Sequence, residues 1–520
     1  MKTILHILLI MFAINLNGQN IVNSKLYSKD LKLADLAFES EDYLNAINLY
    51  RKVLAFDPNN EKSNLNSIIS RIKLNQVTDS CIPHLTKLKT SSTPEVQFYF
   101  GKIYHLTSNF DEAIKCYNNY KSINIKKRTI TDQEVDYNIG CSKNAIDLIS
   151  QPHRSIIKNL GDSINSKYAE YVPLITPDEN FLYFTSRREG STGNLKDLHG
   201  NYYEDVYVSQ KINNDKWSSP KNIGPPINTN THDACVALSA DGNQMIIYRT
   251  SEDLLSGDLY LSRLDFNGWT IPVKFGPEIN TPYIETSACF STDTSVIYFS
   301  SNKPGGFGGK DLYRIKKLPN GKWSMPMNLG MTINTDKDED SPFLHPDGIT
   351  LYFSSKGHNT MGDYDVFKTI LNTETNSFSA PENLGFPINT VNNDIFFVLN
   401  ASGTHGYYSS VKEETYGGAD IYMIDTRFGD NDLRVKTGKV IFGNEVSKAK
   451  ITLIDIDSKQ VSGIFNANSK TGKFILVLNP LKAYKAIVEE DGFQTMIVDI
   501  EPIANEIMES ELILSLTKKR

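Results

Sequence analysis

Between about residues 154 and 426 apolar and polar positions alternate in short runs that recur in a fixed order. An alternating strand is followed by a turn signal: TPDE, SADG, STDT, HPDG or NASG. A second strand comes next: FLYFTS, QMIIYRT, VIYFSS, TLYFSS or HGYYSS. In most copies a glycine-rich turn then leads to a third strand opening DVY, DLY, DLY, DVF or DIY. Period-two alternation rich in aromatic and β-branched residues predicts strands. The aspartates at their heads, Asp205, Asp258, Asp311, Asp365 and Asp420, are placed to tie their own turns. A closing phrase follows four copies: WSSPKNIGPPINT, WTIPVKFGPEINT, WSMPMNLGMTINT and FSAPENLGFPINT. Its aromatics, Trp217, Trp269, Trp323 and Phe378, are 52, 54 and 55 residues apart.

Proline in that phrase (220, 272, 326, 381) cannot donate to a ladder, so its strand belongs at an edge. Four antiparallel strands recurring every 50 residues or so predict a β-propeller over 151–430. The aromatics are then packing between blades. A divergent phrase, RSIIKNLGDSINS (154–166), stands before the first copy, and the last copy lacks one. Giving strand 154–161 to the final blade closes the ring. Five blades are expected, with six as the alternative if a cryptic one has been missed.

On either side the pattern changes. Over 27–150 the spacing is helical. YLNAINLYRKVLAFDPNN (43–60) and FGKIYHLTSNFDEAIKCYNNY (100–120) place Ala46 and Ala113 67 residues apart, about two periods of 34. Gly101 and Ala113 would let antiparallel helices approach closely. Over 433–520 alternation returns across six or seven strands with Asx and Gly turns, predicting a small antiparallel β-sandwich. The expected fold class is therefore multidomain: helical repeats, a five-bladed propeller and a sandwich.

Composition narrows the function. A net charge of -7 without a Lys/Arg run argues against a nucleic-acid partner. Lys2 followed by the apolar run Ile4–Ile14 reads as a signal peptide over 1–18, cleaved near Gly18. No later run of 18 apolar residues predicts a transmembrane segment in the mature chain. Five cysteines, 81, 116, 141, 235 and 289, match no zinc spacing and are expected as buried thiols. No nucleophile elbow, zinc-protease motif or phosphate loop is present, so neither cofactor nor catalytic residue is expected.

The helical phrases resemble tetratricopeptide repeats. The blade phrases resemble WD40-like propeller repeats of TolB and of Bacteroidota envelope proteins. The order GKV…AKITLID…SKTGKFILVL…YKAIVEEDGF resembles the carboxypeptidase regulatory-like, transthyretin-like module. Together with the signal peptide they resemble the front of Bacteroidota OmpA-family proteins, including the PorE-like accessory protein of type IX secretion. The chain ends at LILSLTKKR with no OmpA-like domain, so peptidoglycan binding does not carry over. The resemblance implies an exported, non-enzymatic scaffold of the periplasm or outer membrane, with envelope proteins as partners. The alternative is a propeller that binds glycan or peptide. A propeller-based hydrolase or lyase comes third.

One polar feature recurs. Five residues after the Asn of each "IN" stand Glu170, Asp233, Glu285, Glu339 and Asp394, with Asp340 as substitute in the fourth copy. They could ring one channel mouth and bind a cation or a basic tail, or they could accept hydrogen bonds that fix the blades; the second is favoured. The segment INTDKDEDSPFLHPDG (333–348) imitates a calcium loop, but Ser341 stands where that loop needs glycine. Its other acids are expected in a solvated loop.

Overall fold

The computed structural model describes residues 26–519, apart from 78, 125–127, 198–199, 214–215, 413, 426–432 and 503–510. The signal-peptide expectation lies outside the described residues. The chain divides into two compact units, Met1–Ile146 and Asp147–Arg520.

The first unit is helical: α1 (26–39), α2 (Tyr43–Phe56), α3 (Glu61–Lys73), α4 (Ile82–Leu88), α5 (Glu95–Leu106), α6 (Phe110–Ser122) and α7 (Asp132–Ser150). Asp42 and Asn60 cap α2 and α3 by accepting from Asn45 and Ser63 N–H. Gly101 lies against the Tyr117 ring, where an added Cβ would sit 2.5 Å from Cε1. The Tyr50 hydroxyl donates to Asp35 (2.8 Å) and accepts from Asn66 (2.7 Å). The regular repeat expected over 27–150 is only loosely present. Its middle member is the seven-residue α4, entered through the 3-10 turn Asp79–Cys81 and carrying Pro83 near its start.

The second unit holds five antiparallel blades. Their inner strands are Glu170–Ile175, Asp233–Leu238, Ala288–Phe290, Glu339–Leu344 and Asp394–Leu399, numbered here as blades 1 to 5. These strands neighbour one another in cyclic order. In blades 1, 2 and 4 the outer strand is two short pieces on either side of its proline, as at Lys216–Trp217 and Lys221–Asn222. In blade 5 the outer strand is Ile156–Asn159, paired with Asp420–Asp425.

The fold class needs correction. This is a β-propeller, and the chain is mostly β. Yet the ladders run inside each blade, none passes from blade to blade, and no closed sheet forms among the described residues. Blades meet instead through side chains and single backbone bonds. Trp217 packs edge-on against Tyr407 of blade 5, Trp269 against Tyr183 of blade 1, and Phe378 against Tyr298 of blade 3. Trp323 packs on the apolar cluster shared by blades 2 and 3. The C-terminal region is likewise not purely antiparallel. Arg434–Phe442 pairs antiparallel with Lys473–Leu478 but parallel with Leu512–Ser515. The second sheet, Lys450–Asp455 with its neighbours, is antiparallel throughout.

The asparagine of each "IN" joins the blades. Its side-chain oxygen accepts from the N–H of the second residue of the preceding third strand, and its amide donates to that residue's carbonyl. The pairs are Asn165 with Ile421, Asn228 with Val206, Asn280 with Leu259, Asn334 with Leu312 and Asn389 with Val366, all at 2.8–3.0 Å. Asn389→Ala would leave the N–H of buried Val366 without its acceptor, while the Val366 carbonyl keeps the N–H of Leu384 at 3.1 Å. It is expected to cost about 1–3 kcal/mol in urea unfolding, and a loss below about 0.5 kcal/mol would refute this joint.

Candidate functional site: one mouth of the propeller

The five ring carboxylates stand where the expectation put them, at the head of each blade, and all are buried. Each is taken up locally. The Ser or Thr four residues earlier donates both its N–H and its hydroxyl: Ser166, Thr229, Thr281, Thr335 and Thr390, at 2.6–3.1 Å. A third donor sits at the end of the second strand: Ser186, Arg249, Ser301, Ser355 or Ser410, at 2.5–2.8 Å. Among the described residues no group of three or more His, Cys, Asp or Glu could hold a metal.

The aspartates heading the third strands are engaged less fully, since one oxygen each of Asp205 and Asp420 is buried without a partner. Asn222, Asn328, Asn383 and Asn159 donate to Asp205, Asp311, Asp365 and Asp420 at 2.6–2.8 Å. Blade 2 replaces this asparagine with Lys274, which pairs with Asp258 at 2.6 Å.

A cation lies beside most ring carboxylates, stacked on blade aromatics. Arg188 sits over Phe184 and Tyr207, 3.0 Å from Glu170; Arg249 sits over Tyr260, 2.5 Å from Asp233. Lys412, over Tyr408, lies 3.9 Å from Asp394. Blade 4 has Gly357 and His358 there instead. The His358 ring packs on Phe353 and Phe367, and burial lowers its pKa. With no cation to offset burial, Glu339 is pushed up to about 7.

Positions that do not repeat tell a different story. Next to each ring carboxylate stand Tyr171, Ala234, Thr286, Asp340 and Ile395; before each third strand stand Glu204, Gly257, Lys310, Tyr364 and Ala419. The two sets are brought together, because the N–H of Glu170, Asp233, Glu339 and Asp394 donates to the carbonyl of Ala419, Glu204, Lys310 and Tyr364. Two polar clusters result. In one, the Tyr171 hydroxyl donates to Glu204, and His232 Nδ1 lies 3.4 Å from the same carboxylate. The Tyr203 and His232 rings are 4.4 Å apart. Burial works to raise Glu204, but His232 and Tyr171 outweigh it and hold its pKa down. In the other, Lys310 donates to Asp340 (2.7 Å) and Thr286 (3.0 Å). Ser300 (2.8 Å) and Ser287 also donate to Asp340. Burial opposes ionisation there too, but Lys310 keeps the pKa low.

Asp340 is therefore no substitute for Glu339. It has a role of its own, which the sequence pattern alone did not reveal; its signal was the only carboxylate at a position otherwise Tyr, Ala, Thr or Ile. Nor is Asp338 in a merely solvated loop, since it accepts from Lys310 N–H at 2.9 Å.

Behind this mouth the channel is narrow. Val172, Val236, Phe343 and Phe396 are among the residues lining a cavity of about 80 Å³. That is room for a few waters, well below the several hundred Å³ of a small-molecule pocket.

No protein-family model and no curated protein matches the chain. Solved structures similar to it include one described as a BT0996 RGII complex (8% identity, 56% of this chain and 97% of that one, TM-score 0.40). Others are a thermostable family-43 glycoside hydrolase (12%, 52% and 93%, 0.35) and an endo-arabinase from Bacteroides thetaiotaomicron VPI-5482 (12%, 51% and 98%, 0.33). Two expectations are corrected here. The structures found similar include glycoside hydrolases, so neither the non-enzymatic scaffold nor the flat exclusion of an enzyme stands. The exclusion had rested on the lack of converging reactive groups in linear motifs, and the fold assembles such groups from different blades.

Two of the ring carboxylates respond differently to charge removal. Glu170→Gln removes the ion pair of half-buried Arg188, which keeps the Ile164 carbonyl and the Ser186 hydroxyl, and is expected to cost about 1–3 kcal/mol in urea unfolding. For Glu339 the sign reverses. Its pKa is raised from 4.5 to about 7 in the folded state, so the folded state binds the extra proton and stability falls as pH rises through that window. Glu339→Gln should therefore lose less stability relative to wild type at pH 8 than at pH 5, measured by urea unfolding at both. An equal loss at the two values would sink this assignment.

Proposed function

We propose that this chain is a glycan-binding β-propeller that takes its ligand at the mouth where the inner strands begin. The observation that carries the reading is the convergence there of non-repeating polar groups: Tyr171, Glu204 and His232 in one cluster, Thr286, Lys310 and Asp340 in the other. Ionised carboxylates accept hydrogen bonds from neighbouring sugar hydroxyls, and a tyrosine hydroxyl both donates and accepts. Tyr203 and His232 add ring faces suited to the apolar face of a sugar. The narrow channel behind leaves the mouth as the place where a sugar ring fits. The proposal extends to location: the apolar run Ile4–Ile14 supports an exported chain of the periplasm or outer membrane, among envelope partners.

The full chain on a glycan array is expected to retain a defined set of oligosaccharides. Glu204→Gln and Tyr203→Ala are each expected to weaken that binding about tenfold, or about 1.4 kcal/mol, with the melting temperature little changed. Retention of library peptides and no glycan would favour a peptide ligand instead. Release of reducing ends from the retained glycan would make the site a hydrolase.

A further inference from the structure

A groove of about 640 Å³ lies between blades 2 and 3 and the C-terminal sandwich, away from the mouth described above. Four cations line it, drawn from three elements. Arg263 comes from the third strand of blade 2, Lys317 follows the third strand of blade 3, and Lys448 and Lys450 come from the start of a sandwich strand. Lys450 has a long contact with Glu489 at 3.9 Å. Among the described residues Arg263, Lys317 and Lys448 make no side-chain ion pair. Two lining carboxylates offset part of that charge: Asp293, which accepts from the Ser291 and Ser295 hydroxyls at 2.6 Å, and Asp265, which accepts from Asn267 N–H at 2.8 Å. The Ser469 hydroxyl, also in the lining, is a buried atom without a partner.

The walls are held in place. Asp241 of blade 2 accepts from the N–H (3.0 Å) and side-chain amide (2.8 Å) of Asn466, and Asn243 donates to the Asn466 carbonyl at 2.8 Å. Four cations against two carboxylates leave the fixed groove with an excess of positive charge, in a chain whose net charge is -7. An anion there offsets that excess and uses donors the protein leaves unspent.

We propose that this groove is a binding site for a small anionic ligand bearing carboxylate or phosphate, separate from the glycan mouth. The test is calorimetric titration of the full chain with inorganic pyrophosphate, with a trigalacturonate and with the neutral galactose trisaccharide. At least one anionic probe is expected to bind. That binding should weaken about tenfold in the Arg263→Gln/Lys448→Gln double variant and fall steeply between about 50 and 500 mM salt. It should be unchanged in Glu204→Gln, which separates this site from the mouth. Binding of pyrophosphate alone assigns the site to phosphate, and binding of trigalacturonate alone to uronate. Binding of neither, equal binding of the neutral trisaccharide, or a double variant that binds like wild type would overturn the proposal.

Discussion

Five asparagine side chains make the propeller possible. Proline breaks the outer strand in four of the five blades, so the third strand has an interrupted partner there. The head of that strand is buried, and a buried peptide group without a partner is costly. The primary amide of asparagine is a peptide group on a short tether, with one donor edge and one acceptor. Placed in the "IN" loop it gives the N–H at the head of the third strand its acceptor and shares that residue's carbonyl with an outer-strand N–H, as Asn228 and Ile223 share Val206. The next residue, Ser or Thr, then donates to the carboxylate that heads the following blade. A short loop thus ties the end of one blade to the start of the next, and the ring carboxylates are the far end of that tie.

This explains why repeated and unrepeated polar groups separate so cleanly. Anything the joint needs must appear in every blade: the Asn, the hydroxyl, the carboxylate and the Asp at the head of the third strand. A ligand that breaks the five-fold pattern needs groups that do not repeat. Those groups sit one residue away, Tyr171 and Asp340 beside ring carboxylates, Glu204 and Lys310 beside third-strand aspartates. Blade 4 shows what a departure within the joint does. Without an adjacent cation its carboxylate is raised toward neutrality, while its neighbour Asp340 is held ionised by Lys310.

The blade strands were legible in the sequence because a period of two inside a period near 53 is hard to mistake. The ring carboxylates followed from counting. The clusters were not legible, because each joins residues some 20 to 60 positions apart through contacts that exist only once blades are packed side by side. Linear motifs therefore carry no trace of them. The parallel strand Leu512–Ser515 escaped for another reason: period-two alternation marks a strand but carries no sign of its direction. In the helical unit a repeat of 34 was drawn from two good copies, and Pro83 and a short α4 show how little the copy between them obeys it.

The sandwich decides which mouth a ligand meets. Its core takes in Ala240 and Ala401, from the first hairpin turns of blades 2 and 5, and Gly463 comes up against Thr292 from that of blade 3. Three of the five turns around the hairpin mouth therefore meet the sandwich. The cavity behind them holds little more than a few waters, so nothing of sugar size passes between the two faces. Access is thereby restricted to the opposite mouth, where Glu204 and Asp340 are kept ionised by partners from their own and adjacent blades. A side chain held charged against burial has already met its desolvation cost in folding. Its hydrogen-bonding capacity is then oriented before any ligand arrives, which is what a site needs to recognise hydroxyl groups that water would otherwise satisfy.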